Sequence, residues 1–567
     1  MKRFCLLPKP LVLAISVASF GVNIAVAQTQ PAYSIGHALQ ESQPNKPQQA
    51  AKQTPVPPLV RRGNESLNIA QGETLQVNAF HLVTDEGVSA SVCQAVLNPY
   101  RHRALTLADI HQAMSQLSDC YHAQGYPLAK TSLPRQDARN GILTLRIVVG
   151  KFGEIEVKNH SRVKDALPKA VFNRLKQQHL VTHSAIERAM LLTYDMPGIE
   201  QMPAVTLSRG EAPGSADFLI DVPEGKRYAG YITADNQGSR YTGRNRVSGG
   251  IAINSPLGIA DKLALDVMDS GEKGLLTGQV AYAFPLSADG LRGQVSYART
   301  TYQLGAEYGS LDASGQANTL QAGLSYPLIR SQSHNIYLTT SLANRHLRDE
   351  IAVADQVVRK RVWSGSVALQ DEAWNTLFDK SLYTNASFGL TYGHLQLPDN
   401  QQAELNRQSA DTVGNFAHIN FSLLANQALI NSLSLVTTFS AQQSLLNKNL
   451  DGSEQFNIAG PTAVKAWRES LLGDNGYLLG AELRYQLPAF GKLQQTFGVF
   501  SDTGYTSLQN GDYANDSGYR LSDIGVGYYA TYQPVSVTLQ FAHLLGPKPS
   551  QNSHDEAHLL AQMGISF

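Results

Sequence analysis

The chain holds 567 residues, and 46 basic side chains balance 46 acidic ones to a formal net charge of +0. That balance argues against nucleic-acid binding, which needs a basic excess, and 3 cysteines are too few for a disulfide scaffold or a multi-ligand zinc site. After the N-terminal segment no window approaches the ~20 apolar residues of a spanning helix. A transmembrane β-barrel remains open, because its apolar positions are diluted one in two by polar ones.

In chain order, Lys2, Arg3 and Lys9 precede an apolar stretch from Leu11 to Ala25 that closes on Ala25-Val26-Ala27. A basic start, an apolar middle and a small-x-small site predict a secretory signal over residues 1–27. Gln28 then begins the mature chain, Cys5 leaves with the signal, and the protein is exported. Gln28 to Gly63 is polar and carries six prolines. Within it Ser34 to Glu41 predicts a short helix capped by Ser34. Gln53-Thr54-Pro55-Val56-Pro57-Pro58 predicts an extended linker.

Residues 67–150 predict a small α+β module. Leu75 to Leu82 alternates as a strand, and Thr106-Leu107-Ala108-Asp109 is a capping box that opens a helix. Ile110, Met114, Leu117 and Tyr121 share one face of that helix, Gly125 ends it, and Ile142 to Val149 closes the module as a strand. Residues 151–226 repeat the plan, with a strand from Phe152 to Val157, a helix near Ser184 to Tyr194, and strands near Ala204 to Leu207 and Asp217 to Val222. Cys93 and Cys120 both fall in the first module, and in an oxidising compartment they are expected to bridge. Neither has the neighbours a metal site needs. His111 and His122 are read as ordinary surface or core residues.

From residue 227 to 567, stretches of about ten residues alternate in polarity. Leu291, Gly293, Val295 and Tyr297 alternate with Arg292, Gln294 and Ser296; Leu479, Ala481, Leu483 and Tyr485 alternate with Gly480, Glu482 and Arg484. About sixteen such stretches are present, an even number suited to a bacterial barrel with lipid outside and a wet lumen inside. Short turns at Ser255-Pro256, Pro285 to Gly290, Pro327 to Gln332, Pro488 to Lys492 and Gln533-Pro534 alternate with long polar connections. The long ones are expected over Thr300 to Ala317, Ala343 to Lys360, Leu395 to Val413, Gln442 to Tyr477 and Thr503 to Arg520. Short periplasmic and long extracellular connections are the asymmetry of outer-membrane barrels. The last strand, Leu559 to Phe567, ends on an aromatic.

The longest connection, Gln442 to Tyr477, contains Gly460-Pro461-Thr462-Ala463-Val464-Lys465-Ala466-Trp467, and a later strand carries Phe500-Ser501-Asp502-Thr503-Gly504. On these motifs, and on two modules before a barrel, the chain resembles the two-partner secretion transporters (TpsB proteins). They share a superfamily with the barrel-assembly protein of outer membranes. The resemblance implies a sixteen-stranded transmembrane β-barrel preceded by two α+β POTRA domains and a plug helix. The plug region would cover residues 28–50 and the linker 51–66. It also implies an inward-folding sixth extracellular loop with Val-Arg-Gly-Tyr/Phe at its tip, here Val464, Lys465, Ala466 and Trp467. The inner-wall motif Phe-x-Asp-x-Gly falls on Phe500, Asp502 and Gly504. Lysine keeps the arginine's charge and loses its bidentate fork, and alanine restricts a left-handed backbone. A point-charge contact between Lys465 and Asp502 is expected.

No nucleophile, zinc-protease or phosphate-loop motif occurs, so no enzymatic activity, catalytic residue, metal or cofactor is expected. The implied location is the outer membrane of a Gram-negative bacterium with the POTRA domains in the periplasm. The implied partners are a large secreted exoprotein of the adhesin, haemolysin or growth-inhibitor kind, outer-membrane lipid, and the barrel-assembly machinery reached through the strand ending at Phe567. Nucleic acid is not among them. An outer-membrane assembly factor of the same superfamily is the alternative.

Overall fold

The computed structural model describes residues 33–42, 46–47, 55–57, 60–61, 74–138, 140–178, 180–271, 274–514, 517–549 and 556–567. The expected signal segment and most of the linker lie outside them.

Sixteen antiparallel strands close into a barrel, each paired with its chain neighbour and the last with the first. They are β1 (Tyr228–Asp235), β2 (Arg246–Asn254), β3 (Lys262–Asp269), β4 (Leu275–Pro285) and β5 (Arg292–Gln303). Next come β6 (Ala313–Arg330), β7 (His334–Ile351), β8 (Gln356–Leu377), β9 (Lys380–Gln396), β10 (Gly414–Ile430) and β11 (Leu433–Ser444). The set ends with β12 (Asn475–Gln486), β13 (Gln494–Ser507), β14 (Gly518–Tyr532), β15 (Val535–Leu545) and β16 (Ala557–Ser566). Closure leaves no open edge, the condition for β-structure in lipid. Phe567 completes the seam by exchanging backbone hydrogen bonds with Gly230 at 2.9 and 3.0 Å.

The period-two alternation sorts the side chains. Val295, Tyr297, Leu342, Trp363, Val367 and Leu390 are exposed on the lipid side, whereas Ala317, Leu347, Val362 and Leu395 are buried on the lumen side. Three expected loops are much shorter than the sequence pattern suggests, and the one placed over Thr503 to Arg520 shrinks to residues 508–517. β7 and β8 run for 18 and 22 residues, against ~9–11 needed to cross the bilayer, so the connection placed over Ala343 to Lys360 shrinks to residues 352–355. The Thr300 to Ala317 connection likewise shrinks to residues 304–312. Polar residues there remain in the ladder above the membrane, where both strand faces can be wet and the polarity pattern no longer marks the strand.

In the first module, strand 79–84 runs parallel to 142–148, and 130–132 adds antiparallel. The expected strand over Leu75 to Leu82 divides at Asn78, because Thr74–Val77 pairs instead with Arg103–Thr106. Helix α2 (Leu107–Ala123) covers the sheet with Ile110, Ala113, Leu117 and Tyr121. The Asp109 carboxylate accepts from the Thr106 amide at 2.8 Å and its hydroxyl at 2.7 Å, which holds it below the usual carboxylate range. A disulfide joins Cys93 to Cys120 with Cα atoms 6.0 Å apart. Closing a loop of that length stabilises the module by roughly 3–4 kcal/mol in the chain-entropy account.

The second module packs α3 (Ala166–Asn173) and α4 (His183–Tyr194) on a four-stranded sheet. Its core holds Phe172, Ile186, Met190, Phe218 and Ile220. The outermost strand of that sheet is contributed by the linker, since Val60–Arg61 runs parallel to Thr206 and Leu207. This module docks on the short turns of the barrel. Arg330 makes two 2.7 Å bonds to Asp195, Arg188 donates to the Pro327 carbonyl at 2.8 Å, and Gln332 N–H donates to Glu187 at 2.7 Å. The long connections therefore lie at the opposite, outer end.

Candidate functional site: the lumenal loop and the plug

Residues 445–474 join β11 to β12 and fold into the barrel rather than away from it. The tip is held by its own backbone: Gly460 N–H donates to the Trp467 carbonyl at 2.7 Å, Ala463 N–H to Gly460 at 3.0 Å and Val464 N–H to Ile458 at 3.1 Å. Ile458, Val464, Ala466, Trp467 and Leu471 form an apolar wedge against Phe500, Leu521, Ala542 and Leu544 of the inner wall. Val464 and Trp467 are fully buried. Gly504 faces this wedge, and a Cβ there would lie 3.0 Å from Ile458 Cβ.

Lys465 Nζ lies 2.6 Å from Asp502 Oδ2 and 4.5 Å from the centre of the Phe500 ring. The two side chains are only 16% and 7% exposed, so the pair is a buried one rather than a contact in open water. Removing one partner of a buried pair leaves an uncompensated charge, at a cost of ~3–5 kcal/mol. The Phe500 face adds a cation–π attraction that a guanidinium or an ammonium can both use.

Sequence reasoning missed the third group at this point. Asp523 on β14 is directly opposite Asp502 and wholly buried. Its Oδ2 accepts from the Ala466 amide at 2.8 Å and its Oδ1 from the Asp502 amide at 3.1 Å. Two carboxylates facing each other across strands repel, and Lys465 and the two amides offset that repulsion. The only sign in the sequence is an acid at a lumen-facing position, Leu521-Ser522-Asp523, on the strand after the Phe-x-Asp-x-Gly motif. Ala466 is not among the residues of positive φ, so the alanine side chain introduces no backbone strain. Below the tip, Arg484 grips Glu482 at 2.7 and 2.9 Å, and Tyr529 donates to the same carboxylate at 2.6 Å.

The second part of the site is α1 (Ile35–Glu41), which sits in the lumen near its outer end. Tyr33, Ile35 and Ala38 pack with Tyr241, Met268, Tyr302, Leu395 and Leu450. Ile35 N–H donates to Asp349 Oδ1 at 2.8 Å, Thr242 donates to Glu41 at 3.0 Å, and Arg246 donates to the Glu41 carbonyl at 3.1 Å. Gly36 rests on the backbone of Gly452 at the root of the inward loop, where a Cβ would lie 2.5 Å from the Gly452 carbonyl carbon. Helix α1 and the loop thus share a surface. Farther along, Lys46 pairs with Asp266 at 3.2 Å.

A tandem-module chain with a plugged barrel and an inward loop has a counterpart among known proteins. The profile of the haemolysin secretion/activation protein family (ShlB/FhaC/HecB) matches residues 214–529, and that of the ShlB-type POTRA domain matches residues 75–150. The chain belongs to the ShlB/FhaC/HecB family. It is 25% identical over 465 residues to the heme/hemopexin transporter protein HuxB of Haemophilus influenzae, covering 81% of this chain and 80% of the relative. It is 23% identical to the outer membrane transporter CdiB of Dickeya dadantii, covering 72% of each. The solved structure of CdiB from Escherichia coli shares the fold with a TM-score of 0.71 at 19% identity, over 94% of this chain and 95% of that one. CdiB from Acinetobacter baumannii does so with 0.61 at 16% identity, over 93% and 95%. The family consists of two-partner secretion transporters. This chain is accordingly an outer-membrane β-barrel transporter for a large secreted exoprotein, with its POTRA domains in the periplasm. These relatives do not favour the assembly-factor alternative.

Proposed function

We propose that the exoprotein arrives unfolded at the POTRA domains, displaces α1, threads the lumen as an extended chain or hairpin, and folds outside. Folding on the far side makes return unfavourable and supplies the drive. Residues 28–50 act as plug and 51–66 as its tether, with POTRA domains at 67–150 and 151–226 and the barrel at 227–567. The observation that carries this reading is the seat of α1, a seven-residue helix inside the lumen that, with Tyr33 just before it, inserts Ile35 and Ala38 into the apolar cluster of the barrel wall and is otherwise held by a few hydrogen bonds. Such a seat is stable when empty of cargo and reversible when cargo competes. The Val60–Arg61 strand occupies one edge of the second POTRA sheet. Cargo pairing by β-augmentation there must first release the linker, which ties capture to plug withdrawal.

Val464, Lys465, Ala466 and Trp467 lock the inward loop onto Phe500, Asp502 and Gly504, and the cargo belongs to the adhesin, haemolysin or growth-inhibitor kind. The barrel itself is inserted through the barrel-assembly machinery, which reads the strand ending at Phe567. No bond is made or broken in transport, so the chain acts without enzymatic chemistry. The test is to express a candidate large exoprotein, sought among the genes that neighbour the one for this chain, with and without the chain. Appearance of the exoprotein outside the cell only when the chain is present supports the reading; retention in the periplasm in both cases overturns it.

A further inference from the structure

We propose that the lipid-facing wall of β5 to β8, at the outer rim of the barrel, binds the phosphates of a phosphorylated glycolipid of the outer leaflet. The alternation that places Tyr297, Leu342 and Trp363 in lipid places Arg299, His346, Arg348, Arg359 and Arg361 on the same outward face, closer to the long connections. Register then assembles them into two rows. In one, Arg299 is opposite Asn318, Asn318 opposite His346, and His346 opposite Arg361. In the other, Arg348 stands directly opposite Arg359. Three strand spacings make the patch ~14 Å wide.

Like charges directly opposite on a sheet destabilise it unless a counter-charge lies between. Glu350 answers Arg348 at 2.7 Å, and Arg299 donates to Gln316 at 3.2 Å. Among the described residues no carboxylate answers Arg359 or Arg361, both of which are exposed. The occupant is fixed by what lies beneath. Tyr297 and the T-shaped Trp363–Tyr392 pair, with ring centres 6.1 Å apart, form the aromatic level that marks the interface. Below them Val295, Leu342, Val367 and Leu390 face acyl chains. A ligand here must carry anions immediately above several hydrocarbon chains, and it must suit guanidinium forks, which favour phosphate. A bisphosphorylated, multiply acylated disaccharide lipid of the lipid A class has that form.

The full chain in phosphatidylcholine nanodiscs can be titrated with bisphosphorylated lipid A and with its dephosphorylated analogue, reading bound lipid by native mass spectrometry. The bisphosphate should bind and the dephosphorylated lipid should bind roughly tenfold or more weakly. R359Q/R361Q should weaken the bisphosphate by a similar factor while heat-modifiability shows a folded barrel. R299Q alone, at the edge of the patch, provides a milder variant with a smaller loss. Equal retention by wild type and variants overturns the proposal, as does equal competition by phosphatidylglycerol. Lost secretion with unchanged lipid A affinity would reassign these arginines to the exoprotein.

Discussion

Ala466 at the tip of the inward loop donates its amide to Asp523 on β14 at 2.8 Å, beside the 2.6 Å contact between Lys465 and Asp502. The loop is therefore latched twice, once through a side chain and once through the backbone. D523A strands the buried Ala466 amide without an acceptor, a cost of ~1–3 kcal/mol. We expect the loop tip to become accessible to a thiol reagent at an introduced Ala463→Cys, a position buried in the latched loop, and secretion to fall. D523N retains one acceptor oxygen and should fall between D523A and wild type.

K465A and D502A should each impair secretion, and the double variant should be little worse than either, because the two act as one unit. K465R should be tolerated or should tighten the contact by a second hydrogen bond. Secretion relative to the outer-membrane level of each variant is the readout. Strictly additive defects would show that the pair is not coupled.

Trp467 fills a buried pocket, yet its indole nitrogen has no hydrogen-bond partner among the described residues. W467F should therefore secrete within about twofold of wild type, since the apolar contact survives and no hydrogen bond is lost. W467A leaves a cavity worth ~3–5 kcal/mol and should release the tip. A stronger defect in W467F than in W467A would contradict this packing.

The plug seat depends on the contact of Gly36 with Gly452. G36V places bulk against backbone that cannot yield, so α1 should leave the lumen and planar-bilayer conductance should rise. Removing residues 28–58 should raise it comparably, with heat-modifiability showing an intact barrel in both. Unchanged conductance in both would remove the plug role.

The barrel and its lipid-facing side chains were legible because period-two alternation reports directly which face is wet. The same rule fails above the membrane, where the wet upper parts of β7 and β8 read as a loop between Ala343 and Lys360. The helix over Ser34 to Glu41 could be read from its cap, but its seat depends on Asp349 and Gly452, residues hundreds of positions away with no local signature. Lys465 and Asp502 could be paired from the resemblance alone. Asp523 could not, since a single acid on a lumen face is common and only the folded loop brings an amide to it. The linker strand at Val60 was likewise invisible: two residues carry no period.

The most direct measurement is secretion through a barrel whose plug can be tethered. Ile35→Cys and Asp349→Cys, introduced together where the Ile35 amide and Asp349 meet at 2.8 Å, allow a short thiol linker to hold α1 in the lumen. If cargo passes where the plug now sits, export should stop on linking and return when a cleavable linker is reduced, while either single variant treated alike continues to secrete. Undiminished export through the fully tethered barrel would contradict transport along this lumen by plug displacement.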